Sequence, residues 1–325
     1  MPTKHTSVRI RTPARLHFSL IDLNGELGRI DGGIGISLAK PNWLITISKS
    51  SSWSFPMEIE ERLRIIQDNM KLTQKFHIKI ESNLPKHVGL GSQTQLSLAL
   101  TNAFSILETR QHTIPELAQF ACRGGTSGIG VAAYENGGFI LDGGHTCQEK
   151  PDFLPSHYSN AKSAVVINRF EVPADWYFVV TIPAFGEGKS GLEEVEIFKK
   201  YCPIPSSEVE KLSRIILMQM LPSIIEDDIE DFGRGLTSIQ KIGFKRIENQ
   251  LQDKFINSLQ DFYLASGAAG TGLSSFGPAT FGLIRTKAAA QDLLGKTEKF
   301  LDKHNISGTV FYSAVNNTGA EINIF

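Results

Sequence analysis

Two stretches of this 325-residue chain carry residue types that could act on a phosphorylated molecule. In LPKHVGLGSQTQLSLAL (84–100), Pro85, Gly89, Leu90, Gly91 and Ser92 fall where a strand gives way to a helix, with Gln93 and Thr94 in its first turn. The first amides of a helix lack intrahelical acceptors, and adjacent glycines let an anion approach them, so the corner suits a phosphate. A ligand-free account competes: Ser92 and Gln95 stand three apart, as a capping box requires. No Gly-Lys-Ser/Thr follows, so this is not a Walker loop. In TPARLHFSLID (12–22), Arg15 and His17 are two apart in a strand pattern and share one face. Arg15 can fork onto a phosphate or carboxylate, and His17 can donate to a sugar or leaving-group oxygen. A surface arginine and a satisfied core histidine are the plain alternatives.

Four further sets qualify. Arg29, Asp31, Gly32 and Gly33 belong to a glycine-rich hairpin, where polar residues often only shape a turn. Asp142 and His145 bracket a glycine pair after a short strand; an acid and an imidazole so placed suit a metal or an orienting pair, or are an ordinary turn aspartate and an exposed histidine. Lys189 follows a strand and could meet a phosphate or be a solvated lysine. Ser274, Ser275 and Gly277 make a second small-residue loop, in which Phe276 could stack on an aromatic ring or pack in the core.

With 33 basic and 34 acidic side chains the formal charge is -1, so no broad field exists to gather nucleic acid or an anionic membrane. Small molecules or a second copy of the chain are the expected partners. Three scattered cysteines fit neither a disulfide framework nor a zinc knuckle. Residues 1–11 show no signal peptide, and the greasiest run, 176–182, is too short to cross a bilayer. A soluble, cytoplasmic protein is expected.

The elements that must hold these residues alternate. Strands are expected at 7–10, 16–20, 35–38, 43–48 and 76–80, with helices over 57–70, 96–107, 113–125 and 126–136. Thr113 and Glu116 form a capping box, and Phe139 lies in a short strand between glycine pairs. The second half opens with strand 176–182. A helix capped by Ser207 and Glu210 runs until Pro222 stops it, followed by helices 228–239, 256–264 and 287–304 and a closing strand 309–315. The length favours two α+β domains, 1–172 and 173–325. The acidic run 226–231 reads as a solvated face.

Pro85-x-x-x-Gly89-Leu90-Gly91-Ser92 resembles the phosphate loop of the GHMP superfamily, and residues 12–22 and 270–283 resemble its other two motifs. That resemblance implies a ribosomal-S5-like N-terminal domain, a ferredoxin-like C-terminal domain and a ligand in the cleft between them. Many superfamily kinases carry Ser-Gly-x-Asp ahead of a Gly-Gly pair, the aspartate serving the attacking hydroxyl. Here Ser127-Gly128-Ile129-Gly130 stands in that place, so the acid is missing and ordinary phosphoryl transfer loses its base.

Residues 14–38, 124–145 and 274–282 are similar to the archaeal β-ribofuranosylaminobenzene 5'-phosphate synthase family of methanopterin synthesis. This implies phosphoribosyl pyrophosphate joined to 4-aminobenzoate or 4-hydroxybenzoate, with loss of carbon dioxide and pyrophosphate. It also implies Mg²⁺ bridging the diphosphate, with Ser92 a candidate ligand, Asp31 near ribose hydroxyls, and a homodimer. The alternatives are an ATP-dependent small-molecule kinase and a binding protein that kept the pocket.

Overall fold

Every second residue of β1 (Ser7–Arg11) is buried, the alternation of a sheet with one wet face. The chain continues through β2 (Ala14–Asp22), β3 (Arg29–Leu38), β4 (Leu44–Ser50), α1 (Glu60–Met70) and β5 (Lys75–Ser82). Then come α2 (Ser92–Leu107), α3 (Ile114–Phe120), α4 (Ile129–Glu135), β6 (Phe139–Asp142), β7 (His145–Thr146), β8 (Val166–Phe170) and β9 (Trp176–Pro183). The remainder is α5 (Leu192–Tyr201), α6 (Ser206–Ile215), α7 (Leu221–Ile225), α8 (Ile229–Ile239), α9 (Gly243–Gln250), α10 (Lys254–Ala265), β10 (Gly270–Leu273), β11 (Thr280–Arg285), α11 (Lys287–Lys303), β12 (Gly308–Ala314) and β13 (Glu321–Ile324). The computed structural model describes residues 5–159, 161–185 and 191–325.

Three antiparallel sheets result, ordered β13-β1-β4-β5, β2-β3-β6-β8 with β7 beside β3, and β10-β11-β9-β12. α2 is buried along almost its whole length and packs on α1, α3, α4 and the first sheet. The indole Nε1 of Trp43 donates to the Ser92 carbonyl at 3.0 Å, fixing where that helix begins. Phe18 of β2 packs on Phe139, Phe178, Phe232 and Phe281, so residues from both halves of the sequence share one hydrophobic cluster. The architecture is α+β, as expected.

Several local expectations are corrected. Ser92 does not cap α2: Gly91 occupies that position at φ 77, and the Ser92 hydroxyl donates to the Leu84 carbonyl at 2.7 Å. The Ser207–Glu210 box is absent too. α6 starts at Ser206 after Pro205, and Glu208 instead accepts the Gly243 amide. Pro222 does not stop that helix, because a π-helical segment, Ile216–Met220, widens the backbone ahead of it and α7 continues. α3 and α4 are shorter than expected, and α9 was not expected. In the acidic run, Asp228 caps α8 and Asp227 accepts from the Trp176 indole and pairs with Arg285. β13, also unexpected, pairs with β1, so one ladder joins residues on either side of position 172.

Candidate active site

The three motif stretches converge because backbone hydrogen bonds stitch them together. The Arg15 amide donates to the Leu90 carbonyl at 3.1 Å and the Ser275 amide to the His17 carbonyl at 3.0 Å. Ser274 Oγ accepts the His17 amide at 3.0 Å and donates to the Gly89 carbonyl at 2.6 Å, a carbonyl that also receives the Arg15 guanidinium. The glycines are forced here. A Cβ on Gly89 would sit 2.2 Å from the Ser274 carbonyl oxygen, and one on Gly91 2.8 Å from Arg15 Cγ, both at positive φ. The corner therefore presents an α2 N-terminus without a side-chain cap.

That corner opens on a cleft of about 450 Å³. Arg15, Arg62 and Arg123 line it, on β2, on α1 and just after α3. Arg62 donates to the Ala121 carbonyl and Gln93, and Arg123 to Thr94 Oγ1. Among the described residues none of the three guanidiniums has a carboxylate at ion-pair distance. Burial lowers Arg123 to about 10, helped by repulsion from Arg62 and Arg15. Burial likewise takes Arg15 to about 10, against the attraction of Glu248 and Glu194. Three cations held together with no described carboxylate at ion-pair distance suit an incoming polyanion.

Glu61, Glu194 and Glu248 also face the cleft. Glu248 is paired with buried Lys245. Burial, then the charge of Glu248, pushes Glu194 up to about 7. His17 lies in the same wall and is held well below the usual imidazole range, by burial first and then by Arg15 and Lys245, so it is neutral at pH 7. Past a bulge in β2, Leu20 joins Phe198 and Phe276 as an apolar wall. Phe276 both packs edge-on against Phe244 and lines the cleft.

The cleft thus gathers Arg15, His17, Gly89, Leu90, Gly91, Ser92, Gln93, Ser275, Phe276 and Gly277 from the sequence-derived candidates. Pro85, Thr94 and Ser274 are not part of its lining, though Thr94 holds Arg123 and Ser274 clasps Gly89. The others are elsewhere. Asp31 is fully buried, bonded by Lys150 at 2.9 Å and by His145 at 2.7 Å, and His145 uses its other nitrogen on the Lys162 carbonyl. Arg29 reaches the carbonyls of Gly143 and Gly144 from an exposed position, while a Cβ on Gly32 would lie 3.3 Å from the Asp142 carbonyl oxygen. Asp142 is fully buried, is not bonded to His145 and does not line the cleft; it accepts from Ser127, and a Cβ on Gly33 would press on both. Lys189 lies outside the described residues. Sequence reasoning missed Arg62, Arg123, Glu194, Lys245 and Glu248. Only Arg123, abutting Gly124-Gly125, carried a local signal.

The fold is that of the GHMP kinases. The GHMP kinases N terminal domain model matches residues 59–138. A homoserine kinase from Cytophaga hutchinsonii superimposes with a TM-score of 0.70 at 19% identity, covering 99% of each chain. A mevalonate diphosphate decarboxylase from Enterococcus faecalis gives 0.62 at 14%, covering 98% of this chain and 99% of its own. A β-ribofuranosylphenol 5'-phosphate synthase from Methanothermobacter thermautotrophicus is 45% identical, over 86% of this chain and 89% of its own. One from Archaeoglobus fulgidus is 39% identical over 98% and 100%. The chain belongs to the β-ribofuranosylphenol 5'-phosphate synthase family.

Proposed function

We propose that this protein joins phosphoribosyl pyrophosphate to a 4-substituted benzoate, releasing carbon dioxide and pyrophosphate. The observation that carries the reading is the course of β2, which sets Arg15 at the anion corner, then His17, then Leu20 at the apolar wall of the same cleft. A diphosphate at one end and an aromatic ring at the other match that order. The relatives' name specifies a phenol product, which favours 4-hydroxybenzoate over 4-aminobenzoate.

In the step itself, a ring carbon made electron-rich by the para substituent attacks the anomeric carbon as the bond to diphosphate breaks. The carboxylate leaves as carbon dioxide and its bonding electrons restore aromaticity. Such chemistry needs alignment of two reactants and stabilisation of charge on the departing diphosphate. Arg15, Arg62, Arg123 and the α2 amides supply the second; Phe198, Phe276 and Leu20 hold the ring. No kinase-type aspartate is required, in keeping with Gly130, where a Cβ would already press Thr94 at 3.1 Å.

Among the described residues no group of three or more metal-ligating side chains forms a metal site by itself. A Mg²⁺ shared with a diphosphate needs only one or two carboxylates, and Glu194 and Glu248, which repel one another, fit that demand. Ser92 spends its hydroxyl hydrogen on Leu84 and keeps a lone pair. When bound, Mg²⁺ neutralises charge on the leaving diphosphate. The same reading places the chain in methanopterin synthesis, in the cytoplasm and as a homodimer. Among the described residues no helix is long and apolar enough to cross a membrane.

Incubation with phosphoribosyl pyrophosphate and carboxyl-labelled 4-hydroxybenzoate or 4-aminobenzoate tests the reading, with labelled carbon dioxide expected and its absence from both overturning it. An ATP-dependent kinase is the second reading. It is favoured by Glu194, an acid in the cleft able to take a proton near neutral pH. ADP release with a sugar or acid panel would support it.

A further inference from the structure

Ser127 and Asp142 have no assigned part in holding either reactant, yet they form one hydrogen-bonded chain with His17. His17 Nε2 is 3.2 Å from Ser127 Oγ, which is 3.2 Å from Asp142 Oδ2. Ser127 Oγ also accepts the Ile129 amide at 3.2 Å, and Asp142 accepts the amides of Gly128 and Gly144, each at 3.0 Å. The second sheet makes the chain possible, because β3 separates β2 from β6 and is bare at Gly33. A Cβ there would lie 3.1 Å from Asp142 Oδ2 and 3.3 Å from both His17 Nε2 and Ser127 Oγ. On the far side of the imidazole, Nδ1 is buried and has no hydrogen-bond partner.

Counting hydrogens fixes their direction. An ionised Asp142 can only accept, so it takes the Ser127 hydroxyl hydrogen. The Ser127 oxygen then accepts Nε2–H from a neutral His17, which leaves Nδ1 as a bare lone pair. The geometry points to Asp142 and Ser127 as positioning residues that set the tautomer of His17, so that Nδ1 offers an acceptor to a substrate hydroxyl. This rests on the proposed synthase reaction. Two hydroxyls qualify, that of 4-hydroxybenzoate and those of the ribose. For the phenol, the hydrogen passes to Nδ1 as the ring carbon attacks, and the O–H electron pair becomes the carbonyl of a dienone. Nε2–H moves to Ser127 and the Ser127 hydrogen to Asp142, so that the imidazole stays neutral. Loss of carbon dioxide returns those electrons to oxygen, which recovers the proton from His17.

The arrangement carries its own pH dependence. Burial pushes Asp142 up to about 7; the charge of nearby Asp31 adds to this, while Ser127 and the amides of Gly144 and Gly128 oppose it. Burial first, then Arg15 and Lys245 facing it, keeps the His17 ring neutral over this range. Once protonated, Asp142 donates to Ser127, Ser127 donates to Nε2, and the ring hydrogen moves to Nδ1. Turnover therefore falls as pH drops below about 7.

Nitrogen-15 NMR of the histidine-labelled protein reads the tautomer, and steady-state kinetics with both aromatic acids read its effect. We expect Nε2–H at pH 8 in the parent, Nδ1–H in Asp142→Asn, and kcat lower by roughly a hundredfold in that variant. Ser127→Ala, at a half-buried position, guards against a folding failure of Asp142→Asn and should abolish the fall below pH 7. A loss confined to kcat with 4-hydroxybenzoate assigns the phenol; a raised KM for phosphoribosyl pyrophosphate with either acid assigns the ribose. A parent ring carrying hydrogen on Nδ1 at pH 8, or two variants with unaltered kinetics and pH profile, overturns the assignment. Should the parent release carbon dioxide from neither acid, the synthase reading fails while the NMR still decides the tautomer.

Discussion

Asp31 and Arg15 both project from strands of the second sheet and both lose solvent on folding, but their surroundings differ. Asp31 is met by Lys150 and His145, and Lys150 has further bonds to Thr126 and the Leu154 carbonyl. Arg15 has a carbonyl, two more guanidiniums across the cleft and no carboxylate at ion-pair distance among the described residues. Where the chain is scaffold, buried charge is fully answered from within the fold. Along the cleft wall it is not, as the proposed diphosphate site requires.

Substitutions can break that contrast. Asp31→Asn keeps the shape but strips the counter-charge from buried Lys150, and should cost about 3–5 kcal/mol in denaturant unfolding. The surviving folded fraction should bind phosphoribosyl pyrophosphate normally. A stable variant with poor affinity would reverse the roles assigned to the two clusters. Next in size, Arg123→Gln should lower that affinity by roughly ten- to a hundredfold, the contribution of a charge-assisted hydrogen bond, with no loss of stability. Calorimetric titration would show it, and unchanged binding would remove Arg123 from the anion site.

Gly91→Ala should raise the KM for phosphoribosyl pyrophosphate about tenfold, since φ 77 and the closeness of Arg15 together cost roughly 1–2 kcal/mol. The smallest effect concerns Glu194, neutral below its raised value of about 7 and charged above it. Without Mg²⁺, affinity should fall a few-fold between pH 6 and 8, and Glu194→Gln should flatten that slope. Added Mg²⁺ should restore binding at pH 8 in the parent only. A slope identical in parent and variant would sever Glu194 from the diphosphate.

What the sequence disclosed was local. Gly89, Gly91 and the Arg15-x-His17 spacing are short-range signals, written in residues that backbone sterics and strand alternation make hard to misplace. The Ser92 capping pattern misled because spacing alone ignores how the chain enters the helix. Gly91 arrives in a left-handed conformation that turns the hydroxyl back toward Leu84. Arg62 and Arg123 were invisible as a pair, since only the packing of α1 and α3 against α2 brings them to one wall. Asp31 and His145 looked like site residues for a reason that is physically sound, being chemically active groups beside glycine turns. Whether such groups end in a cleft or a core is decided by strands that meet across the fold. β13 escaped notice because its partner β1 lies at the other end of the chain and no turn connects them.

The indole of Trp43 donates to the carbonyl of the residue that opens α2, so a fluorophore is wired to the turn proposed to receive the diphosphate. Trp53 sits among Phe55, Phe76 and Phe104, and Trp176 is anchored to Asp227, and neither lines the cleft. Arrival of the proposed diphosphate at that turn should change Trp43 emission without any label, and Trp43→Phe, which keeps Trp53 and Trp176, should lose that change.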